Sequence, residues 1–416
     1  MSTTTVQTVQ PTTWLPTVPA GWTVRPLWSM FERIKDVDHP DEQMLSVFRD
    51  YGVVAKSSRD NLNQTAENRS IYQLVHPGWL VTNRMKAWQG SVGISPLRGI
   101  VSGHYICFAP RHAQNPDYLN WLFRSVPYTH AYALISRGVR IGQVEIDNDS
   151  YRQLPVLLPP VEEQRGVAEF LDRETARIDT LIEEQKRLID MLQERRTSVA
   201  RTCVPDPRSG SVAADKLGRR TRIGNGSTPR RENEAFWENG HIPWLNSSVV
   251  NQDRVGAATQ FVTDAAVTQC HLPFVPPGSL LVALTGQGKT RGMATVLDIE
   301  ATINQHVAYV TPDADFWDSE YLLWSLTAAY AELRAISDEN GSTKGALTCE
   351  ELKRFRVAHP PLVEQRRIAT HLSEQTSKID TLIAETEQFI ELARERRSAL
   401  ITAAVTGQID VRKEVA

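Results

Sequence analysis

The chain has 416 residues, 41% hydrophobic and 23% charged, with a formal net charge of −3. That length exceeds one ordinary core and points to two or three domains, while the composition is that of a globular protein and excludes collagen-like, mucin-like and disordered classes. No run of about 18 apolar residues occurs, so no membrane span is expected, and the chain reads as cytoplasmic. The four cysteines, Cys107, Cys203, Cys270 and Cys349, are widely spaced with no C-x-x-C pair. They read as reduced, buried thiols and exclude a disulfide framework or zinc site. A net charge of −3 does not advertise nucleic-acid binding, although a local basic patch would suffice for it.

In chain order, residues 1–19 (opening MSTTTVQTVQPTTW) have neither a basic leader nor an apolar stretch and read as a flexible polar leader, not a secretion signal. Residues 20–158 form a first globular segment in which short β-branched runs alternate with turn residues and a few helical stretches, an α+β pattern. A long helix is expected over 159–204, a linker over 205–216, and a second α+β segment over 217–358. A second long helix over 359–406 and a tail over 407–416 complete the chain.

The two helices are copies of one another. PPVEEQRGVAEFLDRETARIDTLIEEQKRLIDMLQERRTSV, from Pro159, recurs 201 residues on as PPLVEQRRIATHLSEQTSKIDTLIAETEQFIELARERRSAL, from Pro360. Both share Pro-Pro, Glu-Gln-Arg, Ile-Asp-Thr-Leu-Ile and Glu-Arg-Arg without a gap. The proline pair blocks a helix upstream, and Glu162, Glu163 and Glu364 suit the positive end of the helix dipole. Apolar residues fall at coiled-coil spacing, with an expected seam of Leu171, Ile178, Leu181, Leu188, Leu192 and Val199 in one copy. Leu372, Ile379, Leu382, Phe389, Ala393 and Leu400 form it in the other, with Gln185 and Thr386 taking a polar seam position in the first and second copy. About forty residues make a rod of about 60 Å, too long for the inside of one domain. Each helix therefore needs a partner, and an antiparallel pair of the two copies meets that need. The globular segments echo each other weakly: Pro77-Gly78 matches Pro277-Gly278, Ser102-Gly103-His104 matches Asn304-Gln305-His306, and Tyr118-Leu119 with Trp121 matches Tyr321-Leu322 with Trp324.

Two variable globular domains separated by two similar long helices, each opening on Pro-Pro and Glu-Gln-Arg, resemble the specificity subunit of type I restriction-modification systems. The resemblance covers about Gly21 to Val411. In the second domain, GNGSTPRRENEAFWENGHIPWLNSSVV resembles a common opening of target-recognition domains, a Gly-x-x-Thr-Pro turn and then Gly-x-Ile-Pro-Trp; the first domain lacks the Thr-Pro turn. The resemblance implies two target-recognition domains that each read one half of a bipartite DNA site, with the helix pair as an antiparallel coiled-coil spacer and pseudo-two-fold repeat. It implies as partners double-stranded DNA, two methyltransferase subunits and ATP-dependent restriction subunits. The chain itself would be non-catalytic and hold no cofactor, S-adenosylmethionine, ATP and Mg belonging to the partners.

Candidate DNA contacts follow from side-chain chemistry, since arginine can bind guanine bidentately or hold a phosphate. The basic stretch Arg219, Arg220, Arg222, Thr228, Arg230 and Arg231 is broken by glycines that permit close backbone approach. Trp244 and Asn246 lie in the opening motif. Lys289 and Arg291 follow a glycine-rich turn that is not a nucleotide loop, because Ala283 stands where the motif needs glycine. Lys344 lies in a tail loop. By the repeat, Arg84, Lys86, Arg137 and Arg140 are the first-domain candidates, with Arg59 and Arg69 weaker. His104 and His306 occupy matching positions without a neighbouring acid or nucleophile, which favours a structural or base-contacting role over catalysis. First-turn charge explains the glutamates of Glu-Gln-Arg but not the repeated Gln-Arg, so Gln164, Arg165, Gln365 and Arg366 are expected to dock partner subunits or the adjoining domain. Pro312-Asp313 with Glu351-Leu352-Lys353 is too loose a match for a nuclease. A coiled-coil scaffold without a DNA role is the alternative, but it leaves the duplicated domains unexplained.

Overall fold

The computed structural model describes residues 14, 17–58, 69–138, 144–286, 289–338 and 345–411. These residues form two compact units, one comprising residues up to 185 with those from 388 onward, the other 186–387. The division falls within both long helices, α4 (Val161–Cys203) and α9 (Leu362–Val405).

In the first unit an antiparallel sheet has the order Phe31–Ile34, Tyr105–Pro110, Leu80–Asn83, Val92–Ile94. Helices α1 (Pro116–Arg124) and α2 (Val126–Leu134) pack on it, and α3 (Asn148–Arg152) follows. The core holds Leu80, Phe108, Leu119 and Leu122 with the fully buried Tyr118, Tyr128, Tyr132 and Tyr151. Each of those tyrosines is tolerable inside because its hydroxyl is bonded, as Tyr128 to the Pro155 carbonyl (2.8 Å) and Tyr151 to Thr82 (2.7 Å). Strand Thr23–Pro26 pairs antiparallel with Pro155–Leu158, tying the start of the domain to the strand that leads into α4.

The second unit repeats this plan. Its main sheet runs Thr221–Asn225, Val307–Pro312, Leu280–Ala283, Ala294–Leu297, with Arg254–Val255 added at the edge in parallel. Ala214–Lys216 pairs with Arg356–Ala358, the strand that leads into α9. A second sheet of Gln260–Val262, Ile242–Leu245 and Thr302–Ile303 lies alongside, followed by helices α5 (Asp264–Gln269), α6 (Ser319–Ala328), α7 (Tyr330–Asp338) and α8 (Cys349–Arg354). Thr348 and Glu351 cap α8 reciprocally, satisfying two of its orphan N–H groups.

The long helices begin right after their proline pairs, with Glu162, Glu163 and Glu364 in the first turns. Their buried stripe differs from the expected seam. Leu171, Thr175, Ile178 and Ile182 are buried in α4, and Leu372, Thr376, Ile379, Thr386 and Ile390 in α9, whereas Leu181, Leu188, Leu382 and Phe389 are exposed. The expected seam includes Thr386 but misses Thr175 and Thr376. Thr175 and Thr376 can be buried because each hydroxyl donates to the carbonyl one turn back, Leu171 at 2.6 Å and Leu372 at 2.8 Å. Within the first unit Ile401, Ala404 and Val405 at the end of α9 join the core that holds Leu171. Within the second, Ala200 near the end of α4 joins the core that holds Ile368 and Leu372. In each unit, therefore, the beginning of one long helix lies with the end of the other. No helix among the described residues is long and apolar enough to cross a membrane.

Candidate nucleic-acid interface

The repeated helix motifs resolve into two fixed contacts in each unit. Gln164 is fully buried: its Oε1 accepts from the Asn115 N–H (2.9 Å), and its Nε2 donates to the Pro159 carbonyl (2.8 Å) and to Gln114 Oε1 (2.5 Å). Gln365, equally buried, accepts from the Asp318 N–H (2.9 Å) and donates to the carbonyls of Pro360 (2.9 Å) and Phe316 (3.1 Å). Asn115 and Asp318 are the N-caps of α1 and α6, so each glutamine joins a long helix to the first turn of a domain helix. Of the two roles expected for Gln164 and Gln365, docking on the adjoining domain is the one observed; docking of partner subunits is corrected, because both side chains are buried. Arg165 and Arg366 are exposed beside Glu162 (3.2 Å) and Asp318 (3.9 Å).

The second contact joins the remaining landmarks. In the first unit Arg397, from Glu-Arg-Arg, pairs with Asp179, from Ile-Asp-Thr-Leu-Ile (Nε to Oδ1, 2.8 Å), its guanidinium 5.9 Å from the Trp121 ring centre. In the second unit Arg196 pairs with Asp380 (2.9 Å), 5.8 Å from the Trp324 ring centre. Sequence reasoning found these motifs without seeing that one copy's arginine answers the other copy's aspartate.

The surface suited to DNA is clearest in the second unit. The Gly226-Ser-Thr-Pro229 turn leaves strand Thr221–Asn225 and lies against the turn after Thr302–Ile303: the Gly226 N–H donates to the Asn304 carbonyl (3.2 Å), and a Cβ on Gly226 would fall 1.7 Å from the Ile303 oxygen. Only glycine allows that approach. The two turns are then stitched by side chains. Thr228 Oγ donates to Gln305 Oε1 (2.5 Å), Asn225 Nδ2 donates to the Gln305 carbonyl (3.3 Å), and His306 Nδ1 lies 3.0 Å from Thr285 Oγ. Arg231 stacks on Trp237 (3.9 Å to the ring centre) and donates to Gln260 Oε1 (2.6 Å), which fixes its guanidinium in place. Arg230 is exposed and makes no ion pair among the described residues. Lys289 is exposed, its carbonyl accepting from the Tyr330 hydroxyl (2.6 Å).

Other candidates separate from this ledge. Trp244 is buried among Phe236, Ile242 and Val262, its Nε1 donating to the Ser227 carbonyl (3.2 Å), so it supports the turn and cannot touch DNA. Arg291 is also buried, held by Asp338 at the end of α7, and is corrected from a DNA contact to an internal brace. Asn246 is half-buried and caps the short helix after it, accepting from the Ser248 N–H (2.9 Å). Arg219 and Arg220 are committed to Asp215 (3.3 Å) and Asp313 (3.7 Å). In the first unit Arg84 is paired with Glu145, whereas Lys86 and Arg137 are exposed. Arg59, Arg140 and Lys344 lie outside the described residues. The residues missed in the sequence, Asn225, Thr285 and Gln305, carry no charge; Asn225 lies inside the opening motif, Thr285 begins the glycine-rich turn, and Gln305 lies in the polar Asn-Gln-His turn between two apolar strands.

Among the described residues no group of three or more His, Cys, Asp or Glu side chains is placed to hold a metal. The cysteines are unpaired, and burial pushes the Cys107 thiol up to about 12.

Residues 221–392 match the family described as the type I restriction modification DNA specificity domain. The Escherichia coli type I restriction enzyme EcoR124I/EcoR124II specificity subunit is 23% identical over 243 residues, 57% of this chain and 58% of that one. Residues 221–392 thus carry a type I restriction modification DNA specificity domain. The MjaIX specificity subunit of Methanocaldococcus jannaschii is 30% identical over 178 residues, 42% of this chain and 40% of its own length. These alignments thus span well under two thirds of either relative. The likeness in fold extends further than the sequence identity. A solved chain described under complex assembly and conformational transition of the type I R-M system superposes with a TM-score of 0.75 at 18% identity, covering 95% of this chain and 100% of that one. The HsdS subunit from Thermoanaerobacter tengcongensis gives 0.54 at 18% identity, over 95% and 99%.

Proposed function

We propose that this chain is the DNA sequence-specificity subunit of a type I restriction-modification complex, each globular domain reading one half of a bipartite site. The observation that carries this reading is the doubled architecture: both units place the same antiparallel strand order against a helix whose N-cap is clamped by the buried glutamine of a long helix. A protein that reads two half-sites needs two heads held by equivalent joints. The lengths of α4 and α9, 43 and 44 residues, set the gap between the half-sites.

The chain supplies the address, and the chemistry falls to its partners. Two methyltransferase subunits, using S-adenosylmethionine, dock on the helices, where each unit leaves apolar side chains exposed: Leu181, Phe389 and Leu392 in the first, Leu188, Met191 and Leu382 in the second. ATP-dependent restriction subunits complete the complex, and it works in the cytoplasm. Replacing residues 217–358 with another recognition domain tests the modular reading. The methylated motif is expected to change in one half only; a change in both halves, or in neither, contradicts it.

A further inference from the structure

Gln305 belongs to an unbroken chain of hydrogen bonds supplied by three loops. Thr228 Oγ donates to Gln305 Oε1 (2.5 Å), Gln305 Nε2 lies 3.2 Å from His306 Nε2, and His306 Nδ1 lies 3.0 Å from Thr285 Oγ. An amide nitrogen can only donate, so His306 Nε2 is the acceptor; the ring proton sits on Nδ1 and points to Thr285. Valence then fixes what Gln305 still offers. Its amide has two N–H groups and two lone pairs, and one of each is used. One donor and one acceptor remain on an exposed side chain. Turning the amide end for end, with the histidine and threonine protons reversed, leaves the same pair.

The geometry points to Gln305 as the residue that reads an adenine in the half-site recognised by the second domain. This rests on the function proposed above. In the major groove adenine presents the N7 acceptor beside the N6 amino donor, the complement of a free N–H beside a free lone pair. Guanine presents two acceptors there, N7 and O6, and would set O6 against the amide oxygen. A long flexible side chain normally loses rotamer freedom on binding, and the Thr228 and His306 contacts have already removed much of it. The setting agrees with base reading more than phosphate holding. Asn225, Thr228, Thr285 and Gln305 carry no formal charge, whereas the exposed Arg230 follows Thr228 by two residues and Lys289 follows Thr285 by four. A neutral donor–acceptor cluster beside cations is the division expected of a surface that reads bases centrally and holds phosphates at its edge.

The test uses the full-length chain, wild type, Gln305→Ala, Gln305→Glu and Thr228→Val, each co-expressed with its methyltransferase partners, and maps methylated motifs by single-molecule sequencing. In Gln305→Ala, one adenine in the half of the motif that follows residues 217–358 is expected to lose a preference of roughly 5- to 150-fold over other bases. The other half-site and the gap stay unchanged. Gln305→Glu keeps the shape but offers acceptors only, so the preference there is expected to move to cytosine, whose N4 amino group donates. Thr228→Val, which frees the amide, weakens the preference without redirecting it. Preference retained at every position in both Gln305 variants overturns the assignment while leaving the specificity role intact, as does a loss spread over both half-sites. A wild-type chain that confers no motif overturns the functional reading and this assignment with it.

Discussion

Replacing Gln365 by methionine keeps its volume but removes the three hydrogen bonds that Gln365 contributes to the joint between α9 and α6. The Asp318 N–H and the Pro360 carbonyl lose the partner described above, while the Phe316 carbonyl keeps the His359 ring nitrogen at 3.3 Å. Two polar groups are thus left unpaired, at roughly 1–3 kcal/mol each, for a loss of about 2–6 kcal/mol. Set against a domain stability of about 5–15 kcal/mol, this is a large fraction. The thermal midpoint of the second unit is expected to fall by about 4–24 °C, at roughly 2–4 °C per kcal/mol for a body of this size. Calorimetry of the full chain measures it, and hydrogen exchange localises it to the first turn of α6. Gln164→Met is expected to act alike on the first unit, and because the two joints share no partner the losses add. A drop under about 1 °C, with unchanged exchange at Asp318, would refute the claim that these glutamines join helices to domains.

Three further outcomes are expected. Arg397→Ala removes an ion pair with half-exposed Asp179 and a contact over Trp121, and urea unfolding of the first unit is expected to show a loss of about 1–2 kcal/mol; Arg196→Ala is the matching change in the second. Gly226→Ala drives a methyl group into the Ile303 carbonyl and separates the two polar turns, so motif mapping is expected to show the second half-site lost and the first kept. His112 is pushed down to about 4, mainly by burial and also by the charge of Arg25. Its folded pKa lies below the unfolded value of about 6.5, so its contribution is present above pH 6.5 and is lost as pH falls toward 4. His112→Asn keeps a side-chain acceptor for the Gln114 N–H (3.1 Å), and urea midpoints are expected to depend less on pH across that window than in the wild type.

Much of the fold was legible because repetition is read by comparison alone. The Pro-Pro and Glu-Gln-Arg landmarks mark the helix starts, and the absence of internal proline predicts their length. The helix seam was less legible. A buried threonine whose hydroxyl bonds its own helix is indistinguishable in sequence from a solvent-facing one, so Thr175 and Thr376 were passed over for Leu181 and Leu382. Charge misled in the site for a similar reason. Arg291 and Arg230 look alike in sequence, but Arg291 meets Asp338, 47 residues on, and is drawn inside. Gln305 was missed because its role comes from Thr228 and Thr285, on loops 77 and 20 residues away, and no local pattern records that meeting.

The most direct test of the specificity role is to express the partner methyltransferase genes in a host with and without this chain and sequence the host DNA for methylated adenines. A two-part motif with a fixed unspecified gap, present only with the chain, is the predicted result. Methylation that is the same without it would contradict the account and restore the scaffold reading.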